Sequence, residues 1–356
     1  MKTKLKQLLA KRPRRKKKAE PEKLDQAIQS IPRITNETVA EHREEVLSSA
    51  RKYIYPLKHS AHKVVIISTS LFAIALVTFF TYCLLAVYKF HSTSTFIYRI
   101  SQVIPFPVAK AGSHYISYES YLFELRHYMH YYETQQKVDF SSESGKQQLA
   151  DFQKQALDSV VTEAYVKQLA KQNGVSVSDK DLNDAIALVR SQNRLGSSDQ
   201  VFEDVLKEFW GWSVADFKRE LKQEMLAQKV VATLDTDTQG RARQALDQLK
   251  GGADFASVAK QFSDDVVTKE NGGSYGISID KSDRDLPPQV IDVLFKLKPG
   301  ETSDIVTTAT GLEILQLKDV DGNKVHAAHI MFNFKPISTY TDPLHAKQKP
   351  HNFIKV

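Results

Sequence analysis

The alternation of apolar and polar positions changes character along this chain. Residues 64–88, VVIISTSLFAIALVTFFTYCLLAVY, run without a charge, a Pro or a Gly. A helix of that length rises about 37 Å, enough to cross a hydrocarbon core of roughly 30 Å. A cleaved signal peptide has a shorter apolar region, nearer the N-terminus and followed by small residues. Here 63 residues precede the run and Lys89-Phe90-His91 follows it, which predicts an uncleaved anchor. Before the run, residues 38–55 have helical spacing and mixed charge, a short helix ending at Pro56.

After the run, residues 89–113 read as a linker, with Pro105 and Pro107 inside it. Tyr118, Tyr121, Leu122, Leu125, Tyr128, Met129 and Tyr132 then follow the i, i+3, i+4, i+7 spacing of one helix face. A longer helix is predicted over 146–173, with Leu149, Phe152, Ala156, Val160 and Ala164 as its stripe and Gly174 at its C-terminal end. Ser178 starts a helix over 179–193, Ser198 caps one over 199–209, and Ser213 with Asp216 opens one over 214–234. These helices show no paired carboxylates, His cluster or phosphate loop, and Trp210 and Trp212 read as packing residues.

From Gln239 the texture turns to short helices, Gly-rich turns and β-like runs. Residues 311–319 and 323–333 are two such runs around Val320-Asp321-Gly322. Asp-Gly is a favoured type I′ pair, so the two should fold back as an antiparallel hairpin.

Charge and cysteine content narrow the picture. The net charge is +7, but residues 1–63 hold 17 Lys/Arg against 7 Asp/Glu, and the rest of the chain holds 32 against 35. The excess lies ahead of the apolar run, with KRPRRKKK at 11–18 and Arg51, Lys52, Lys58 and Lys63 nearer to it, which places the N-terminus in the cytoplasm. The basic run has no interleaved aromatics and no accompanying fold, so it reads as a topology signal touching anionic lipid, with no nucleic-acid partner expected. Cys83 is the single cysteine and sits in the apolar run, which excludes an intrachain disulfide and a Cys-based metal site or nucleophile. An exported domain without disulfides fits a bacterial cell envelope.

Two resemblances add to this reading. The stretches VVTEAYVKQLAKQNGVSVSDKDLNDAI and FEDVLKEFWGWSVADFKRELKQEMLAQKV resemble the helical N-terminal domain of SurA-type chaperones over roughly 110–237. The segments GADFASVAKQFSDD, GGSYG, FKLKPGE and VTTATG, in that order, closely resemble the parvulin family of peptidyl-prolyl cis/trans isomerases. The expected fold class is therefore α+β: one transmembrane helix, an all-α SurA-like domain, and a small antiparallel parvulin-like sheet with flanking helices. The expected domains are a basic cytoplasmic segment (1–63), the span (64–88), the linker (89–113), the helical domain (114–237) and the isomerase domain (238–356).

Parvulins begin with a strand bearing a His-Ile-Leu-type motif, yet no His precedes Arg241 in AQKVVATLDTDTQG. Ala328-His329-Ile330-Met331 appears after the last expected strand instead, which points to a circular permutation with 323–333 supplying the first strand, the alternative being a divergent extension. Carried over position by position, the resemblance implies a polar site of His329, Asp265, Thr308 and Thr310, with Glu313 where the second family histidine would stand. It implies a proline slot of Leu286, Val290 and Tyr275, shallower than usual because Val290 stands where the family often has Phe. Such chemistry needs no metal and no cofactor. The implied partners are unfolded or proline-containing exported polypeptides and the lipid bilayer; a non-catalytic holdase or an envelope scaffold is the alternative on the same fold.

Overall fold

The computed structural model describes residues 34–54, 57–192 and 198–356. The basic run at 11–18, Tyr55, Pro56 and Asn193 lie outside the described residues. The chain divides into two compact units, 1–80 and 81–356. The described part of the first holds α1 (Asn36–Ile54) and the start of α2 (Leu57–Tyr88). Within α2, His62–Tyr88 is long and apolar enough to cross a membrane, with a mean hydropathy of 2.3. Ile66, Leu71, Ile74 and Phe72 stand exposed along it.

The second unit opens with a departure from expectation. The stretch 89–113 is no linker: it forms α3 (Thr95–Val103) and β1 (Pro107–Ala111), which pairs antiparallel with β2 (His114–Ser117). Ser94 caps α3 by accepting the Ile97 N–H, and Pro107 sits at the first position of β1, where a strand tolerates a missing N–H.

The helices that follow are α4 (Tyr118–Thr134), α5 (Glu143–Gln172), α6 (Asp179–Gln192), α7 (Asp199–Trp210) and α8 (Val214–Leu234). Their starts lie where hydroxyls can satisfy orphan N–H groups. Ser142 accepts from Gly145, Ser198 from Val201, and Ser213 forms a full capping box with Asp216. Each such cap contributes about 1 kcal/mol. α5 begins at Glu143, three residues before the start at 146 expected from its apolar stripe, because the cap rather than the stripe sets the start.

After α8 the chain forms α9 (Thr236–Lys250), α10 (Phe255–Phe262), β3 (Ile279–Asp280), α11 (Pro288–Leu294), β4 (Val306–Thr307), β5 (Gly311–Asp321) and β6 (Lys324–Asn333). The sheet order is β3-β6-β5-β4, all neighbours antiparallel. β5 and β6 form the expected hairpin, but the loop is Gly322-Asn323, with Asp321 already paired to Lys324. Only Gly322 has positive φ (59°), so the turn is not the type I′ expected at Asp321-Gly322, which needs positive φ at both central residues. Leu312, Ile314, Ala328, Ile330 and Phe332 face α9 and α10; Leu315, Leu317, Val325 and Ala327 face α11. The side-chain period of two puts Glu313 and His329 on the α11 face.

The last residues depart again. Beyond β6, α12 (Ser338–Lys347) and β7 (His351–Asn352) leave this sheet. β7 pairs with β1, Leu344 packs against Val166, Leu169 and Val230, and the Tyr165 hydroxyl donates to the Gln348 carbonyl at 2.7 Å. The final segment, expected within 238–356 as part of the isomerase domain, thus packs on the helical bundle. Ile337, Tyr340 and Leu344 pack against the bundle cluster of Val166, Leu169 and Val230, and the Phe353 ring stacks on Tyr115 of β2.

Candidate functional site

The Phe-Ser-Asp-Asp stretch that follows α10 works as a clamp on β6. Phe262 is buried in the core between α10 and the sheet. The Ser263 hydroxyl accepts the Met331 N–H at 3.2 Å, the Asp264 N–H donates to the Met331 carbonyl at 2.7 Å, and the Asp264 carboxylate accepts the Asn333 N–H at 2.9 Å. Arg241 holds the same carboxylate through two contacts of 2.6 and 3.1 Å. This edge docking delivers the next residue, Asp265, to the side chain of His329.

His329 is 5% exposed and lies between two carboxylates. Its Nδ1 is 3.0 Å from Glu313 Oε2 and its Nε2 is 3.0 Å from Asp265 Oδ2. Glu313 is diagonal to it across the hairpin, since the registers are Leu315 with His329 and Glu313 with Met331. An ionised carboxylate oxygen only accepts, so both contacts are satisfied when each ring nitrogen donates. Tyr275 donates its hydroxyl to Glu313 Oε2 at 3.1 Å and lays its ring 4.2 Å from the imidazole, tilted by 33°. Thr268, which carried no signal in the sequence, donates its hydroxyl to Asp265 Oδ2 at 2.6 Å and lies 3.1 Å from His329 Nε2.

Two pKa shifts follow from this arrangement. Burial pulls the Asp265 carboxyl upward, but the Thr268 hydroxyl, the Val267 N–H and His329 outweigh it and hold Asp265 below its ordinary value. Burial, then the charge of Glu313, pushes the Tyr275 hydroxyl far above the usual phenol range, so it remains a donor.

The turn that brings Tyr275 here depends on Gly273. It has φ +75°, its carbonyl accepts the His329 N–H at 2.8 Å, and a Cβ on it would lie 2.2 Å from the His329 carbonyl oxygen. Gly273 therefore does more than permit a turn: it allows a backbone to lie directly on the site strand.

His329, Asp265, Glu313 and Tyr275 are thus brought together, and Leu286, Val290 and Tyr275 belong to or pack on one apolar cluster under α11. Val290 is fully covered, so the apolar surface left accessible is that of Leu286 and Tyr275. Thr308 and Thr310 lie at the β4–β5 turn, outside this hydrogen-bonded group. The Thr308 hydroxyl donates to the Gly311 carbonyl at 3.2 Å, and the Thr310 carbonyl accepts the Phe334 N–H.

The helical domain holds two further arrangements. Glu124, Glu163 and Glu220, from α4, α5 and α8, bring carboxylate oxygens within 4.8 Å of one another, although the sequence showed no paired carboxylates there. Burial, then repulsion by Glu220 and Glu163, pushes the Glu124 carboxyl up to about 8. Trp210 and Trp212 pack beside the cluster of Phe202 and Leu206, as expected, and also line a cavity of about 220 Å³ with Phe123 and His127.

Comparison with known proteins assigns both parts. A profile described as the SurA-like N-terminal domain matches residues 57–231, and one described as the PPIC-type PPIase domain matches 225–319. The foldase protein PrsA of Clostridium botulinum (strain Langeland) is 27% identical over 212 residues, covering 49% of this chain and 62% of that protein. The chaperone SurA of Pseudomonas syringae pv. tomato is 26% identical over 242 residues, covering 53% of this chain and 55% of its own length. The crystal structure of PrsA from Bacillus subtilis aligns over 57% of this chain and 79% of that one, at 20% identity and a TM-score of 0.20. The chain thus spans about three fifths of the length of the PrsA relative. It thus carries a SurA-like N-terminal domain followed by a PPIC-type rotamase domain of the parvulin kind.

Proposed function

We propose that this chain is a membrane-anchored foldase that isomerises X–Pro bonds in unfolded, exported polypeptides, with its N-terminus cytoplasmic and residues 89–356 outside. The observation that carries the reading is His329, held between Asp265 and Glu313 beside Tyr275, on the same sheet face as the apolar cluster that supports Leu286.

The barrier to rotation about an amide is about 18–20 kcal/mol and comes from resonance. A catalyst lowers it by binding the twisted amide better than either planar form. Leu286 and Tyr275, with Val290 beneath them, offer an apolar seat for the proline ring. Asp265 and Thr268 stand at the polar edge, where the carbonyl loses resonance, and His329 fixes both carboxylates. The permuted reading is supported by β6: it lies beyond the matched residues 225–319, yet sits between β5 and β3 in the sheet. The anchor is supported by the exposed apolar helix His62–Tyr88 and the basic excess before it.

The test is a prolyl isomerisation assay on short X-Pro peptides with the full chain in micelles. Wild type should accelerate exchange. Leu286→Ala should lower kcat/KM about tenfold, equivalent to about 1.4 kcal/mol of lost transition-state binding. Asp265→Asn should cost less. A folded wild type that leaves every X-Pro peptide at its uncatalysed rate, while suppressing client aggregation, replaces the isomerase with a holdase.

A further inference from the structure

We infer that the exposed face of α3, which carries Phe96, Arg99 and Val103, is seated in the headgroup region of the bilayer crossed by α2. The inference rests on the anchor reading above and goes beyond it: the span brings the domain to the membrane, whereas a second contact fixes how it stands there.

The end of the apolar run supplies the reference level. Residues 81–88 belong to the same compact unit as the domains that follow. On one side of this helix end Cys83, Ala86 and Val87 are covered by protein (0, 4 and 0% exposed), while Tyr82, Leu84 and Leu85 remain 52, 48 and 44% exposed. An apolar helix end that is half covered by protein and half open lies where the domain meets the hydrocarbon.

α3 returns alongside that level. The ring of Phe96 lies 6.2 Å from the ring of Tyr82, six residues before the helix end at Tyr88. Six helical residues are about 9 Å. Phe96 therefore sits beside the apolar run and not beyond it.

The two sides of α3 differ as an interfacial helix requires. Ile97 and Ser101 are buried against the domain, whereas Phe96 and Val103 are 53 and 82% exposed. Arg99 is also exposed, and positions 96, 99 and 103 share one face at i, i+3 and i+7 spacing. Phe90, in the turn before α3, is exposed too, with the Lys89 ammonium 5.8 Å from its ring. Aromatic rings beside Arg and Lys are the chemistry of a headgroup layer: the rings enter the acyl boundary while the cations reach phosphate. The orientation is held from behind, because Arg126 donates to the Thr93 carbonyl at 2.9 Å and lies 5.2 Å from the Tyr98 ring.

The experiment uses the full chain in nanodiscs of phosphatidylcholine and phosphatidylglycerol. Single cysteines replace Phe96, Val103, Leu71 or Val320 in turn, each labelled with an environment-sensitive fluorophore and quenched by doxyl lipids. Cys83 is buried, so the labelled native chain serves as the blank. Emission from positions 96 and 103 should shift to the blue and be quenched several-fold more than from 320, with 71 quenched most deeply. If 71 is quenched while 96 and 103 match 320, the seat is overturned and the anchor stands. If 71 also matches 320, the anchor reading fails and the inference fails with it. A blue shift at 103 without lipid quenching means that protein covers the face, which overturns the lipid assignment.

Discussion

Gly273 and Gly276 offer a controlled comparison within one turn. Both have left-handed backbones, with φ +75° and +72°, but a Cβ at 276 meets nothing within 4 Å while one at 273 lies 2.2 Å from the His329 carbonyl oxygen. Placing alanine in a left-handed conformation costs about 1–2 kcal/mol at either position. At 273 the new carbon must also recede by about 1 Å to reach a carbon–oxygen separation of roughly 3.3 Å. That movement opens the bond from the His329 N–H to the Gly273 carbonyl, now 2.8 Å. Stranding its buried N–H costs about 1–3 kcal/mol more. Gly273→Ala should therefore destabilise the chain by about 2–5 kcal/mol and Gly276→Ala by about 1–2 kcal/mol. Urea unfolding followed by near-UV circular dichroism, with the full chain in micelles, measures both. The same shift carries Tyr275 away from Glu313, so residual folded Gly273→Ala should also lose isomerase activity while Gly276→Ala keeps it. Equal destabilisation and equal activity in the two variants refute the reasoning, since the close approach to β6 would then carry no energy.

Glu124 should respond to pH. Its carboxyl binds a proton in the folded chain up to about 8, against an ordinary 4.5 when unfolded, so stability falls as pH rises through that window, by up to about 1.4 kcal/mol per unit. Glu124→Gln should flatten this slope in urea titrations at pH 5 and 8; an unchanged slope removes the carboxylate cluster as its source. Removing residues 349–356 deletes β7 and the 2% exposed Ile354, which should cost about 1.5–3 kcal/mol or more by melting temperature; an unchanged melting temperature makes the strand dispensable. An impermeant thiol reagent applied from outside the cell should modify a cysteine placed at Ser113 and spare one at Ser30, and the reverse pattern inverts the topology.

What the sequence revealed was local. The capping box at Ser213 and Asp216 and the fold-back of β5 on β6 follow from residues within a few positions of one another. Even so, the hairpin turn moved by one residue, because the pairing extends to Asp321 and Lys324 and leaves Gly322 to take the positive φ. The family resemblance pointed to His329 and Asp265, which the fold brings to 3.0 Å of each other, but not to Thr268, since a lone threonine in a loop carries no pattern until Asp265 folds beside it. The clustering of Glu124, Glu163 and Glu220 comes from three helices and leaves no periodic trace. α3 was hidden by its brevity and by the prolines after it, and β7 by its two residues, which pair with a strand about 240 residues earlier.

The pairing of β7 with β1 has a consequence for the order in which the chain matures. The segment from α9 to β6 enters from α8 and leaves through α12, so both of its ends are stitched to the helical bundle, as in an insertion. Everything that encloses His329 is complete once residue 333 has emerged. The sheet of β2, β1 and β7 cannot close until residue 352 follows. During vectorial synthesis the inserted domain therefore has its whole sequence available while the bundle that flanks it still waits for β7, a clasp that closes the older sheet only after the younger one can fold.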